Sequence, residues 1–220
     1  NLFYLDLFEF ITNSKSIMKK ILLSLIIILS LNIVNAQTKE KGTFEITPKV
    51  GFSRFIESND GGSTKSNSGA SFGATADYYL NNRWSLRSGL IFDKMGGKYD
   101  MPLTGSNATI PFEDKLNYLS IPINANWHFG STRKWNLNFG LSPSFLLSAK
   151  VNDETIPDDI IEPFQLGLNF GIGYKIEVNK KLGILIDYQA FIGLTNIDKT
   201  NYSNITNIGD AFSIGAVLEL

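Results

Sequence analysis

The sequence predicts one eight-stranded, antiparallel, up-and-down β-barrel that crosses a membrane, and three observations carry that prediction. The first is a long hairpin, Pro163 to Leu194. In its first arm Phe164, Leu166, Leu168, Phe170, Ile172, Tyr174, Ile176 and Val178 take every second position, which puts them on one face of a strand. Leu182, Ile184, Ile186, Tyr188, Ala190, Ile192 and Leu194 repeat the pattern in the second arm. The second observation is the opposite face: Gln165, Gly167, Asn169, Gly171, Gly173, Lys175 and Glu177, then Gly183, Asp187, Gln189 and Gly193, with Leu185 and Phe191 as exceptions. Small and polar inside with large and apolar outside is the pattern of a transmembrane barrel, whereas a soluble barrel turns its apolar face inward. The third observation is that the connections alternate long and short, so the short turns gather at one end and the long loops at the other.

Composition agrees. Charged residues make up 19% of the 220-residue chain, below the roughly 25% of an ordinary soluble domain. Absence of Cys excludes a disulfide framework and a thiolate zinc site, and a single His leaves no multi-histidine metal centre. A formal net charge of −1 offers no basic excess for nucleic acid.

Met18-Lys19-Lys20, the apolar run Ile21 to Leu31 and the small residue Ala36 read as a secretory signal peptide over 18–36. Its core is shorter than the about 20 residues of a spanning helix. Residues 1–17 then form an upstream extension, 37–42 a short periplasmic N-terminus, and 43–220 the barrel.

Taken in order, the expected strands are Thr43–Arg54, Gly69–Leu80, a third beginning at Arg83, Lys115–Phe129, Lys134–Ala149, the two arms of the hairpin, and Asp210–Leu220. Pro48 lacks a backbone donor and marks a candidate bulge in the first. Long loops are expected over 55–68, 94–114, 150–162 and 195–209. Trp84, Trp127 and Trp135 flank short turns and form an expected periplasmic aromatic girdle, matched at the other end by Phe52, Phe72, Phe92, Phe145, Phe164 and Phe212. Closure follows from the cost of an unpaired backbone group in hydrocarbon, several kcal/mol each. Eight strands leave an interior just wide enough for side chains, here expected to be a plug of polar contacts.

Asp77, Arg87, Lys175 and Asp187 are the candidate lumen network, because a charge in a narrow interior needs a partner. Arg87 is expected to pair with Asp77 or Asp187. His128 and Ser120 share a strand, but lie eight residues apart, too far for nucleophilic catalysis at about 3.3 Å per residue. The acidic loop with Asp153, Glu154, Asp158, Asp159 and Glu162 lacks EF-hand spacing and reads as solvated. No catalytic, cofactor or metal residue is therefore predicted.

Leu116-Asn117-Tyr118-Leu119-Ser120-Ile121-Pro122-Ile123 resembles the Tyr-Leu-x-Ile-Pro strand of the PorT-type outer-membrane β-barrel family of Bacteroidota. Phe129-Gly130 and Pro48-Lys49-Val50-Gly51 resemble it too. The chain departs at Leu220, where such barrels commonly end in Phe or Tyr. The resemblance implies an eight-stranded barrel, with a role in protein secretion for some members and no catalytic residues. Expected partners are outer-membrane lipid and other envelope proteins. The expectation is a structural or partner-binding envelope protein; the alternative is a small transport or channel component.

Overall fold

The computed structural model describes residues 39–157 and 159–220. The expected extension and signal peptide lie outside the described residues, as do the first residues of the 37–42 segment.

Among the described residues twelve strand segments occur where eight were expected. They are β1 (Phe44–Asn59), β2 (Gly62–Ser63), β3 (Lys65–Tyr79), β4 (Trp84–Met95), β5 (Gly97–Pro102), β6 (Thr109–Ser120), β7 (Ile123–Phe129), β8 (Trp135–Val151), β9 (Glu154–Thr155), β10 (Phe164–Glu177), β11 (Leu182–Gly193) and β12 (Thr206–Glu219). One cause is Pro122, which has no N–H to give the ladder and divides the expected fourth strand into β6 and β7. The other is that three expected loops contain strands of their own, β2, β5 and β9, and the fourth gives its end to β12. β1 runs on past Arg54 to Asn59, β3 begins already at Lys65, and β2 lies between them and pairs with β1; β5 pairs with β6; β9 folds back on β8.

All pairings are antiparallel, and they close on themselves. β1 pairs with β3, β3 with β4, β4 with both β6 and β7, and both of these with β8. β8 continues to β10, β10 to β11, β11 to β12, and β12 returns to β1. A closed ladder leaves no bare edge for hydrocarbon. The register runs unbroken through Pro48, from Thr47↔Thr75 to Lys49↔Gly73, so the bulge expected there is absent. A register shift falls instead between Asn117 and Tyr118, against β8.

Alternation decides what faces which way. Val50, Phe139 and Ile186 point outward, 64%, 50% and 37% exposed, while Asp187 and Asn138 point inward at 1% and 2%. Inward glycines let the wall tighten: a Cβ on Gly140 would meet the Ile123 carbonyl oxygen at 2.0 Å. Toward the long-loop end the polarity of the interior reverses. Phe55, Met95, Leu116, Tyr118, Phe191 and Ile197 pack together there, and the outward neighbours include Arg54, Asp210, Asn117 and Ser148. The lumen is thus a polar plug over only part of its height, and Phe55, expected in a loop, is an inward strand residue. Gly167 makes room for this apolar cap, since its Cβ would lie 2.2 Å from the Phe191 ring.

Candidate functional site: the lumen and the long-loop end

Strand alternation delivers Asp77 from β3, Arg87 from β4 and Asp187 from β11 to one level of the interior, each at most 4% exposed. Arg87 Nε donates to Asp77 Oδ2 at 3.0 Å, and Nη1 lies 3.7 Å from Asp187 Oδ1. Both expected partners are therefore engaged at once. Lys49 Nζ donates to Asp187 Oδ2 at 2.9 Å, and Gln189 Nε2 donates to Asp187 Oδ1 at 2.9 Å. The fourth predicted residue, Lys175, belongs to a separate cluster. Its Nζ donates to Glu45 Oε1 at 2.9 Å and to the Tyr79 hydroxyl at 3.1 Å, and that hydroxyl donates to Glu45 Oε2 at 3.0 Å. Lys39 closes the bottom of this cluster against Glu45 and Glu219. Parity alone marks Glu45, Lys49 and Tyr79 as inward residues on β1 and β3; which of them meet depends on strand stagger, which a sequence does not reveal.

Ser120 does not approach His128; its hydroxyl bonds Ser144 at 2.8 Å. The serine beside the imidazole is Ser85, with Oγ 2.9 Å from His128 Nε2. Ser85 also donates to Asp77 Oδ1 at 2.8 Å, and Asn126 Nδ2 stands 3.5 Å from the same ring nitrogen. A nucleophile needs a base positioned to take the serine proton, and here that proton is directed at Asp77. His128 stacks on Tyr79 with ring centroids 4.8 Å apart.

Two groups of aromatic rings stand on the outer wall. Trp84, Trp127, Phe129, Trp135 and Tyr174 form an unbroken series near the short turns, with successive centroids 6.3, 5.1, 6.3 and 4.7 Å apart. Toward the long loops Phe52 meets Phe212, Phe72 meets Phe92, and Phe145 meets Phe164.

Beyond that second level lies a carboxyl pair that sequence reading missed. Glu57 on β1 and Asp114 on β6 are neighbours, with Tyr99 of β5 beside Asp114. Burial, then the neighbouring Asp114 charge, pushes Glu57 up to about 8. Burial also raises Asp114, and it raises Tyr99 to about 12. The two acids sit in segments expected to be loop, so their meeting inside the cap carried no periodic signal.

The β5–β6 hairpin rises from this end. Met101, Leu103 and Ile110 near its tip are 52%, 42% and 42% exposed. Tyr99 and Phe112 stack across its base at 5.6 Å. In the acidic loop Asp153 receives a hydrogen bond from Lys115 Nζ at 2.6 Å. Among the described residues no group of three His, Cys, Asp or Glu side chains is placed to hold a metal.

The family described as the outer membrane protein beta-barrel domain matches residues 35–199. Among solved structures, Neisserial surface protein A is 18% identical, covers 80% of this chain and 97% of its own, and gives a TM-score of 0.48. OprG from Pseudomonas aeruginosa is 13% identical, covers 83% of this chain and 98% of its own, and gives a TM-score of 0.50. At that identity the likeness to OprG concerns the fold. No curated protein matches the sequence.

Proposed function

The chain belongs to the outer membrane protein β-barrel domain family, and on that premise we propose that it is a non-enzymatic outer-membrane protein whose long-loop end binds a protein partner of the envelope. The observation that carries this reading is the β5–β6 hairpin. Met101, Leu103 and Ile110 hold apolar surface out at the end of the barrel where the outward strand residues have become polar. An exposed apolar patch rimmed by polar groups is the usual form of an interaction site.

Further elements of the reading are the outer leaflet above the phenylalanine level, the periplasm below Trp84, Trp127 and Trp135, and eight membrane-crossing staves, with β6 and β7 counted as one. Export through the segment 18–36 goes with them. The Tyr118-Leu119-Ser120-Ile121-Pro122 run supports a place near the PorT-type barrels, and a tie to protein secretion rests on that resemblance alone.

A photoreactive amino acid at Leu103 in cells is expected to give a protein adduct that one at Leu141, on the outer wall, does not. Adding Met101→Ser and Ile110→Ser should abolish it. Lipid adducts alone at Leu103 would overturn the reading. The alternative of a small channel meets an obstacle in the apolar cap, which fills the interior above the ion pairs. Planar bilayers separate the two: little current is expected, and steady single-channel steps would favour the channel.

A further inference from the structure

The three short turns, 81–83, 130–134 and 179–181, carry Arg83, Arg133, Lys134, Lys180 and Lys181 and no carboxylate. They lie at one end of the wall and are tied to the strands beside them. The Arg83 carbonyl accepts from the His128 amide at 2.6 Å, the Lys134 carbonyl from the Lys175 amide at 2.8 Å, and the Lys181 carbonyl from the Glu219 amide at 2.9 Å. Short-range bonds fix each turn. Asn81 Oδ1 accepts from the Arg83 and Trp84 amides at 2.8 and 3.0 Å, and Asn179 Oδ1 accepts from the Lys181 and Leu182 amides at 2.8 and 2.9 Å. The Arg133 guanidinium closes the middle turn on the Gly130 carbonyl. The cations therefore stand on a firm rim, with Arg83, Lys180 and Lys181 exposed.

Among the described residues none of the five pairs with a carboxylate, whereas Arg54, Lys65, Lys94, Lys98 and Lys115 at the long-loop end each do. The acids on the short-turn side are Glu40, Glu45, Glu177 and Glu219. Lys39 and Lys175 already answer Glu45 and Glu219. With Lys39, Lys41 and Lys175 counted beside the turns, cationic side chains outnumber acidic ones two to one at this end.

Depth identifies the anion. Arg83 precedes Trp84 and Lys134 precedes Trp135 in the chain, and those rings stand on the outer wall, 37% and 45% exposed. Interfacial aromatic rings lie at the level of the lipid headgroups, so the rim meets phosphate. A basic cluster at that depth favours anionic lipid, by about fivefold for each cation near the surface.

We propose that the short-turn rim binds the phosphate groups of anionic phospholipid in the periplasmic leaflet, and gathers such lipid around the barrel in preference to zwitterionic lipid. The choice of leaflet rests on the short turns facing the periplasm, as proposed above; the preference rests on the rim alone.

Trp84, Trp127 and Trp135 are all the tryptophans of the chain, so its fluorescence reports on this end. The whole barrel is placed in phosphatidylcholine vesicles containing a fraction of phosphatidylglycerol or phosphatidylcholine brominated on the acyl chains. Brominated phosphatidylglycerol should quench more strongly at equal fraction, with a relative association constant on the order of five or more at low salt. Sodium chloride at about 1 M, where the screening length is about 3 Å, should bring that constant toward unity in the natural sequence. Arg83→Gln, Lys134→Gln, Lys180→Gln and Lys181→Gln together should do the same, while Lys94→Gln with Lys115→Gln at the other end should leave the preference intact. Equal quenching by the two lipids, or a preference that survives the four substitutions, overturns the proposal. Quenching by neither lipid overturns instead the reading of the outer wall as lipid-facing. Ser131→Cys, a single thiol in a chain without cysteine, decides the leaflet: labelling by an impermeant maleimide in intact cells would overturn the periplasmic assignment, and protection supports it.

Discussion

Two stretches of the same wall solve opposite problems. Around Asp77 and Asp187 the inward side chains are charged and the outward ones, Phe139 and Ile186 among them, are aliphatic or aromatic. Around Leu116 and Phe191 the inward side chains are apolar, and Arg54, Asn117 and Ser148 face out. The backbone ladder is the same in both. What differs is the surrounding medium: lipid accepts the apolar outside of the first stretch, and water accepts the polar outside of the second. The lower stretch is held together by satisfied charge, the upper by buried apolar area.

The comparison can be broken at several points. Asp77→Ala leaves Arg87 buried with only the 3.7 Å contact to Asp187. Removing one member of a buried pair costs about 3–5 kcal/mol, which urea unfolding in detergent should show. Leu116→Ala in the cap should cost about 2–4 kcal/mol by cavity formation. The two sites share no partner among the described residues, so the double variant should lose the sum to within about 0.5 kcal/mol. A strongly non-additive result would mean that the two stretches form one cooperative core.

Glu57 sharpens the comparison through pH. Its raised value means the folded protein holds a proton up to about 8, while the unfolded chain releases it near the ordinary 4.5. The folded state thus binds more protons between those values, and stability falls as pH rises through that window, then levels. Glu57→Gln should flatten this decline, read as urea midpoints at about pH 5 and about pH 9. Arg54→Ala should have the smallest effect. Its pair with Asp210 lies on the outer surface with Arg54 58% exposed, where solvent screens the attraction and little stability is at stake.

Much of the wall was legible in the sequence, for a physical reason. A period of two survives any change of medium, so Leu168 and Ile186 could be assigned to one face and Asp187 and Asn138 to the other. Leu185 and Phe191 broke the pattern, and both are buried inward. The reversal near Phe55 was not legible, because alternation continues through it and only the side that meets water changes. The hairpin extensions were hidden as well. Ser, Asn and Gly from Asn59 to Gly69 read as loop, yet in water beyond the lipid a polar strand pairs readily. Within the lumen parity picked out Asp77 and Arg87, but that Lys175 answers to Glu45 rather than to Asp187 depends on strand stagger.

The seam between β1 and β12 has a consequence for timing. Glu45 stands opposite Glu219, and the Leu220 amide donates to the Phe44 carbonyl at 3.0 Å. The opening and closing strands of the barrel are each other's neighbours. A nascent chain stopped before Thr206 therefore has two raw margins, one on β1 and one on β11, with nothing to join them. Sealing must wait for the final segment to arrive, and until then something other than the chain itself has to shield those margins from the bilayer.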